Sequence, residues 1–260
     1  MAILDVYFVG LLLIALALGC VWFGQRRTHN ANLVDPVWAW TLGGLGVLLG
    51  ATGTAPPGLR ALMAVALMLW AHRLAWHLFR RNAGAPEDAR YARFRRQWGA
   101  SADRKLLLLI ESQVVFSALL SLPLIAIASR ADWPPGWAVG AAVVVWLVSV
   151  AGEALSDRQL ARFKADPASR GKVNRDGLWR YSRHPNYFFE CLHWFTYLLL
   201  AIGTPWWWLG LIPPVVMAWL LLGVSGIPMV EAHLAQSRPG YAEYRRTTSA
   251  LIPWPPKDPD

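Results

Sequence analysis

Between Asp176 and Glu190 the chain reads DGLWRYSRHPNYFFE, which sets Arg180, Arg183, His184, Asn186 and Glu190 in one short stretch. His184-Pro185-Asn186 has the make-up of a helix start: proline is tolerated at the first helical position and asparagine can cap, so unpaired backbone amides are expected there. Such amides beside guanidinium groups make a phosphate site. Anchoring of Arg180 and Arg183 at a membrane face is the plainer alternative. Upstream, Glu153 and Asp157 lie four residues apart on one helix face, followed by Gln159, Arg162 and Lys164. Without a histidine or further carboxylate at matching spacing, this pair suits hydrogen bonding to sugar hydroxyls, or orienting arginines, better than it suits a metal.

Two further clusters precede these. Arg73, His77, Arg80 and Arg81 stand at i, i+4, i+7 and i+8 and charge one helix face, unless they snorkel toward lipid phosphates. Ala85–Gly99, APEDARYARFRRQWG, carries Asp88, Arg90 and Tyr91 in a basic, aromatic segment. It has the character of a helix lying on anionic lipid, except that such a surface repels Glu87 and Asp88. Asp35-Pro36 opens an apolar stretch and makes a good N-cap with proline at the first helical position. No GxGxxG follows a strand and no GxxxxGK precedes Ser or Thr, so no Rossmann or P-loop unit holds a nucleotide. Cys20 and Cys191 sit in no CxxC or Cys/His cluster and read as packing residues, and no metal is expected.

The elements that must position these groups are membrane helices. The chain is 55% hydrophobic, with 16 tryptophans and a mean hydropathy of +0.33, and its apolar residues cluster in long blocks. Blocks long enough to cross about 30 Å of hydrocarbon occur at Ile3–Gly24, Val34–Thr54, Leu59–Phe79, Leu106–Ser129, Trp137–Leu155, Tyr187–Ile202 and Trp206–Met229. The expected fold is all-α: one polytopic domain over residues 1–260, of about seven spans. The net charge of +9 points to lipid rather than nucleic acid, because it sits in alternate connections, chiefly Arg80–Lys105 and Ser156–Asn186. By the positive-inside rule the N-terminus is outside and the C-terminus cytosolic. The first block lacks a basic leader region and reads as a retained helix. Gly43–Gly46, inside a span, reads as close helix packing.

With that topology the ionisable residues share one level. Asp35 opens the second span; Arg73, His77, Arg80 and Arg81 close the third. Glu111 and Gln113 open the fourth, Glu153 and Asp157 close the fifth, Glu190 and His193 open the sixth, and Glu231 and His233 leave the seventh. Charges at such depth are costly unless they face a cavity or one another. A common pocket at the cytosolic membrane boundary is therefore expected.

Three stretches, EALSDRQLARFK (Glu153–Lys164), DGLWRYSRHPNYFFE (Asp176–Glu190) and SRPGYAEYRRTTSALIPW (Ser237–Trp254), resemble the bacterial membrane family related to steroid 5α-reductases and, through it, the sterol reductases. The resemblance is strongest over residues 153–254 and collinear over Asp35–Gly99. The Arg-His-Pro-Asn-Tyr core alone is also similar to isoprenylcysteine carboxyl methyltransferases. The resemblance implies a seven-helix membrane enzyme that binds NADPH in a cytosolic pocket and reduces the C4–C5 double bond of a 3-oxo-Δ4 steroid; a monomer in a bacterial inner membrane is expected. It places Asp157, Asn186, Glu190 and His233 on the cofactor, with Leu178, Tyr181, Arg183, His184 and Tyr187 in the same run. Arg73, Arg80, Arg81, Asp88, Arg90, Tyr91, Glu153, Arg162 and Lys164 join them as cofactor-side groups.

On the substrate side the resemblance places Asp35, with Trp38 and Trp70. The family pairs a carboxylate with a tyrosine there; the tyrosine falls near Trp70, which has no hydroxyl, so His72 or His77 stands as its replacement. Hydride addition to an enone needs stabilisation of the negative charge growing on the carbonyl oxygen. A neutral Asp35 in an apolar pocket is expected to donate that hydrogen bond. Two rivals remain: an S-adenosylmethionine-dependent methyltransferase, for which so many cytosolic arginines are excessive, and a non-catalytic sterol- or lipid-binding membrane protein.

Overall fold

The computed structural model describes residues 2–224 and 226–258, apart from the side chain of His233. Among the described residues it is all-helical, with one isolated bridge between Ser182 and Ser249 in place of any sheet. Six helical stretches are long and apolar enough to cross a membrane: Ile3–Thr28, Val34–Thr52, Pro57–Asn82, Ala89–Ser129, Gly136–Ala165 and Trp207–Ser237. The chain divides into two compact units, Met1–Ala138 with Leu200–Pro213, and Val139–Leu199 with Pro214–Asp260.

The first unit holds α1 (Ile3–Thr28), α2 (Val34–Thr52), α3 (Pro57–Asn82), α4 (Ala89–Trp98) and α5 (Ala102–Ser129). The intimate pair is α2 and α3. Gly43, Gly46 and Gly50 form a stripe on α2, and a Cβ at these sites would stand 2.6 Å from the Ala71 Cβ, 2.6 Å from Leu67 Cδ2 and 2.9 Å from the Ala64 Cβ. Small residues let the backbones approach where lipid supplies no hydrophobic drive of its own. Arg60, at the start of α3, donates to the carbonyls of Gly50, Ala51 and Ala55 and so satisfies the end of α2. Tyr7 donates to the Ala118 carbonyl at 2.6 Å and Trp38 to Ser117 at 2.9 Å, tying α1 and α2 to α5.

The second unit holds most of α6 (Gly136–Ala165), then α7 (Pro185–His193), the greater part of α8 (Phe195–Ala201), α9 (Ile212–Trp219), α10 (Ile227–Ser237) and α11 (Tyr241–Thr247). Phe189 of α7 lies against Gly152 of α6, where a Cβ would meet its ring at 2.4 Å. The stretch expected as a sixth span, Tyr187–Ile202, is divided into two short helices at Trp194, and neither alone has the length of a span. The expected seventh span is also interrupted. A 3-10 turn, Trp207–Leu211, leads into α9, and a π-turn, Leu220–Val224, separates α9 from α10. Pro228, which cannot donate a backbone bond, stands at the start of α10. Gly226 precedes it where a Cβ would lie 2.5 Å from the Leu221 carbonyl oxygen.

Replacing Gly43 with leucine should destabilise the first unit by about 1–3 kcal/mol through overpacking against α3. The same change at Gly44, whose Cβ would meet nothing within 4 Å, should leave thermal unfolding in detergent unchanged.

Candidate functional site

In the first unit the polar residues near the start of α2 form one network. His29 ends α1 in the left-handed conformation (φ 50°) and turns the chain back toward α2. The buried side chain of Asn32 then accepts from the Asp88 amide at 2.7 Å and donates to the Pro86 carbonyl at 3.0 Å. Glu87 accepts from the Ala31 amide and, at 2.9 Å, from Arg95, which also reaches Gln25. Asp88 caps α4 by accepting from the Arg90 amide at 2.9 Å. The acidic pair that is out of place on an anionic surface therefore points inward and holds α4 to the α1–α2 turn.

Arg90 and Tyr91 meet Asp35 within this frame. The Arg90 guanidinium lies 2.6 Å from Asp35 Oδ2, and the Tyr91 hydroxyl donates to Oδ1 at 3.1 Å. Arg90 also bonds Asp88 at 3.0 Å, and Arg81 approaches Asp88 at 3.6 Å. Burial works against ionising Asp88, but the bonds and charge of Arg90, with Arg81 beyond, outweigh it and hold the carboxyl below its usual range. Tyr91 is buried, while the Asp35 and Arg90 side chains keep 21% and 32% of their surface, so the pair remains reachable.

Two expectations change here. Asp35 is not the N-cap of α2, which is Leu33, but a residue of its first turn. Nor is it a lone acid waiting for a ketone, since it accepts from two donors. A hydroxyl does meet Asp35, that of Tyr91 from α4. Trp70 itself is 0% exposed in the core of the unit. His72 is exposed and accepts from Trp40 at 3.1 Å, outside the Asp35 network. Arg73 and His77 are half-buried one turn apart on α3. Arg80 is exposed and lies over the Trp76 ring at 6.0 Å.

In the second unit, Asn186 donates to Asp157 at 3.5 Å, joining α7 to α6. Glu153 lies one turn before Asp157 and Glu190 one turn after Asn186, and both are buried. Asn186 does not cap α7, as expected from sequence; His184 holds that position, and its amide is taken by the Ser182 hydroxyl at 3.1 Å. The Asn186 Oδ1 atom is buried with no hydrogen-bond partner among the described residues, which leaves an acceptor open to a donor from a ligand. Leu178 is half-buried and its amide donates to Gln159. Arg162, Lys164 and Tyr181 are exposed. His184 is buried and stacks on Tyr187, with ring centres 5.2 Å apart. The expectation for His233 falls on a side chain outside the described residues.

Arg183 does not reach outward. With its side chain 9% exposed, it lies 2.7 Å from Glu231, itself 11% exposed, and donates to the carbonyls of Arg245 at 2.9 Å and Thr248 at 2.6 Å. His184 meets the same Glu231 oxygen at 3.2 Å. The C-terminal segment is sewn to this loop throughout: Arg183 donates its amide to Ser249, Ser182 its hydroxyl to Leu251, and Trp254 its amide to Tyr181. Tyr244 donates to the Trp179 carbonyl. Burial pushes the Tyr241 and Tyr244 hydroxyls above the ordinary tyrosine range, which keeps Tyr244 a donor. Sequence spacing could not find Glu231 as the partner of Arg183, because 48 residues separate them.

A family profile described as "Protein of unknown function (DUF1295)" matches residues 21–248. The chain belongs to this family. An uncharacterized protein of Schizosaccharomyces pombe is 29% identical to it over 286 aligned positions, covering 95% of this chain and 79% of the yeast protein. No solved structure matches it. The matched region takes in both clusters, from the end of α1 to the C-terminal clasp.

Arg183→Ala should destabilise the second unit by about 3–5 kcal/mol, since it leaves the Glu231 carboxylate buried beside fewer donors. Pairing it with Glu231→Leu should restore much of that loss in chemical denaturation.

Proposed function

We propose that this member of the DUF1295 family is a membrane reductase that uses NADPH to saturate the C4–C5 double bond of a 3-oxo-Δ4 steroid or a similar apolar enone. The observation that carries the reading is the Tyr91 hydroxyl held on Asp35 beside the Arg90 guanidinium. Conjugate addition leaves negative charge on the substrate's carbonyl oxygen, and donors placed beforehand at that oxygen lower the barrier. The single proton of Tyr91 can turn from Asp35 to that oxygen, and Arg90 brings positive charge to the same place. Asp35 then acts as the carboxylate that orients both donors, rather than as the donor itself. Trp38, one turn further along α2 and half-buried, offers an apolar wall.

NADPH, when bound, supplies the hydride. The open Asn186 acceptor fits a carboxamide or ribose donor of such a nucleotide, with Asp157 beside it. Within the same unit, exposed Arg162 and Lys164 offer charge for its phosphates. The orientation that goes with this reading is an outer N-terminus and a cytosolic C-terminus, with α7 and α8 together making the sixth of seven crossings. The protein acts as a monomer in a bacterial inner membrane. One observation favours the methyltransferase instead: Arg183, counted toward the phosphates, is spent on Glu231 and two carbonyls.

The purified protein should carry a nucleotide with the near-ultraviolet absorbance of reduced nicotinamide, and the band should disappear when a 3-oxo-Δ4 steroid is added. Copurifying S-adenosylmethionine would move the assignment to the methyltransferase. Tyr91→Phe and Asp35→Asn should each retain the nucleotide and lower kcat by about 10²–10³-fold; full turnover in Tyr91→Phe would remove the hydroxyl from the mechanism.

A further inference from the structure

Glu111 belongs to neither cluster. It stands on α5 and lines an outward-opening groove of about 560 Å³ together with Ala15, Leu16, Gly19, Cys20 and Phe23 of α1. The α1 residues recur over two turns of one helix face, which makes an open strip about 12 Å long between Ala15 and Phe23. Leu16 and Phe23 are exposed, so the groove is open along its length. Among the described residues Glu111 makes no hydrogen bond and no ion pair. Gly19 keeps the space before the carboxylate empty: a Cβ there would already stand 3.5 Å from Glu111 Oε1, and a larger side chain would fill the groove.

Depth makes this arrangement informative. Asp103, near the start of α5, accepts from Trp22 through its carbonyl at 2.9 Å and pairs with Arg26 at 3.5 Å. Tryptophan with arginine marks the membrane–water boundary. Glu111 lies eight residues further along α5, about 12 Å deeper. A carboxyl at that depth, facing an apolar groove, stays neutral until a counter-charge reaches it. The arginines that end α1 stay at the boundary, Arg26 over Trp22 at 5.2 Å and Arg27 over Phe23 at 5.0 Å.

We propose that this groove binds a membrane-dissolved amphiphile bearing a protonated amine, whose ammonium pairs with Glu111 while its apolar body lies along α1. An acid of the same length would be repelled by the carboxylate, and a hydroxyl would bring a hydrogen bond without the neutralising charge. The apolar lining accepts the body through contact alone. The site is independent of the reductase reading, because none of its residues is among those that reading uses.

The test is equilibrium binding of radiolabelled dodecylamine to the full chain in phosphatidylcholine nanodiscs, with empty nanodiscs subtracted. One saturable site is expected. Glu111→Gln should weaken it by at least about tenfold, Gly19→Leu should abolish it, and dodecanoic acid should not compete. Absence of a saturable component, equal competition by dodecanoic acid, or binding unchanged in both variants would overturn the proposal. Should Glu111→Gln fail to fold, as judged by thermal unfolding, Gly19→Leu and the acid competition decide the matter.

Discussion

Hydrocarbon offers no water to a backbone amide, a carbonyl or a charge, and the placement of polar groups in this protein follows from that constraint. Arg60 is spent on the carbonyls that end α2. Tyr7 and Trp38 carry their polar atoms to acceptors on α5. The glycine stripe of α2 belongs to the same logic, since close backbone approach replaces a hydrophobic drive that lipid cannot provide. Rigid helix pairs result, and the chemistry-bearing residues stand at their ends.

Charge does two jobs at those ends. Glu87 with Arg95, and Arg183 with Glu231, are largely withdrawn from water and hold segments in place. Asp35 with Arg90 is more open to its surroundings. The difference lies in what surrounds each arginine. Glu231 and two backbone carbonyls hold Arg183, whereas Arg90 faces two carboxylates and a hydroxyl that one rotation can redirect. Arginine count is therefore a poor guide to phosphate binding in a membrane protein of this kind, because a buried guanidinium is also an efficient staple for loops.

The C-terminal segment shows how such a staple organises a site. Tyr244, Ser249, Leu251 and Trp254 all bond to the loop between Trp179 and Arg183, immediately before the helix that carries Asn186 and Glu190. The start of α7 is thereby fixed from outside the helix, without a capping side chain of its own. The family match includes Glu231 and Tyr244 and ends just before Ser249.

Hydropathy and the alternation of charge were enough to make this chain an all-helical membrane protein, because both are properties of residues taken in order. They also told the role of the Gly43–Gly46 stripe, and brought Asp35, Arg90, Tyr91, Asp157 and Asn186 forward by residue type. Pairing was beyond their reach. Several arginines and carboxylates lie within side-chain length of any helix end, and which of them meet depends on how α4 turns back on the α1–α2 loop and how the C-terminus folds over Arg183. The breaks at Trp194 and at Leu220–Val224 escaped hydropathy for a similar reason, since an apolar run has the same composition whether or not its hydrogen-bond ladder is continuous. Tertiary packing alone decided that Tyr91 meets Asp35 and that Arg183 meets Glu231, because contact geometry is not encoded in spacing along one strand of chain.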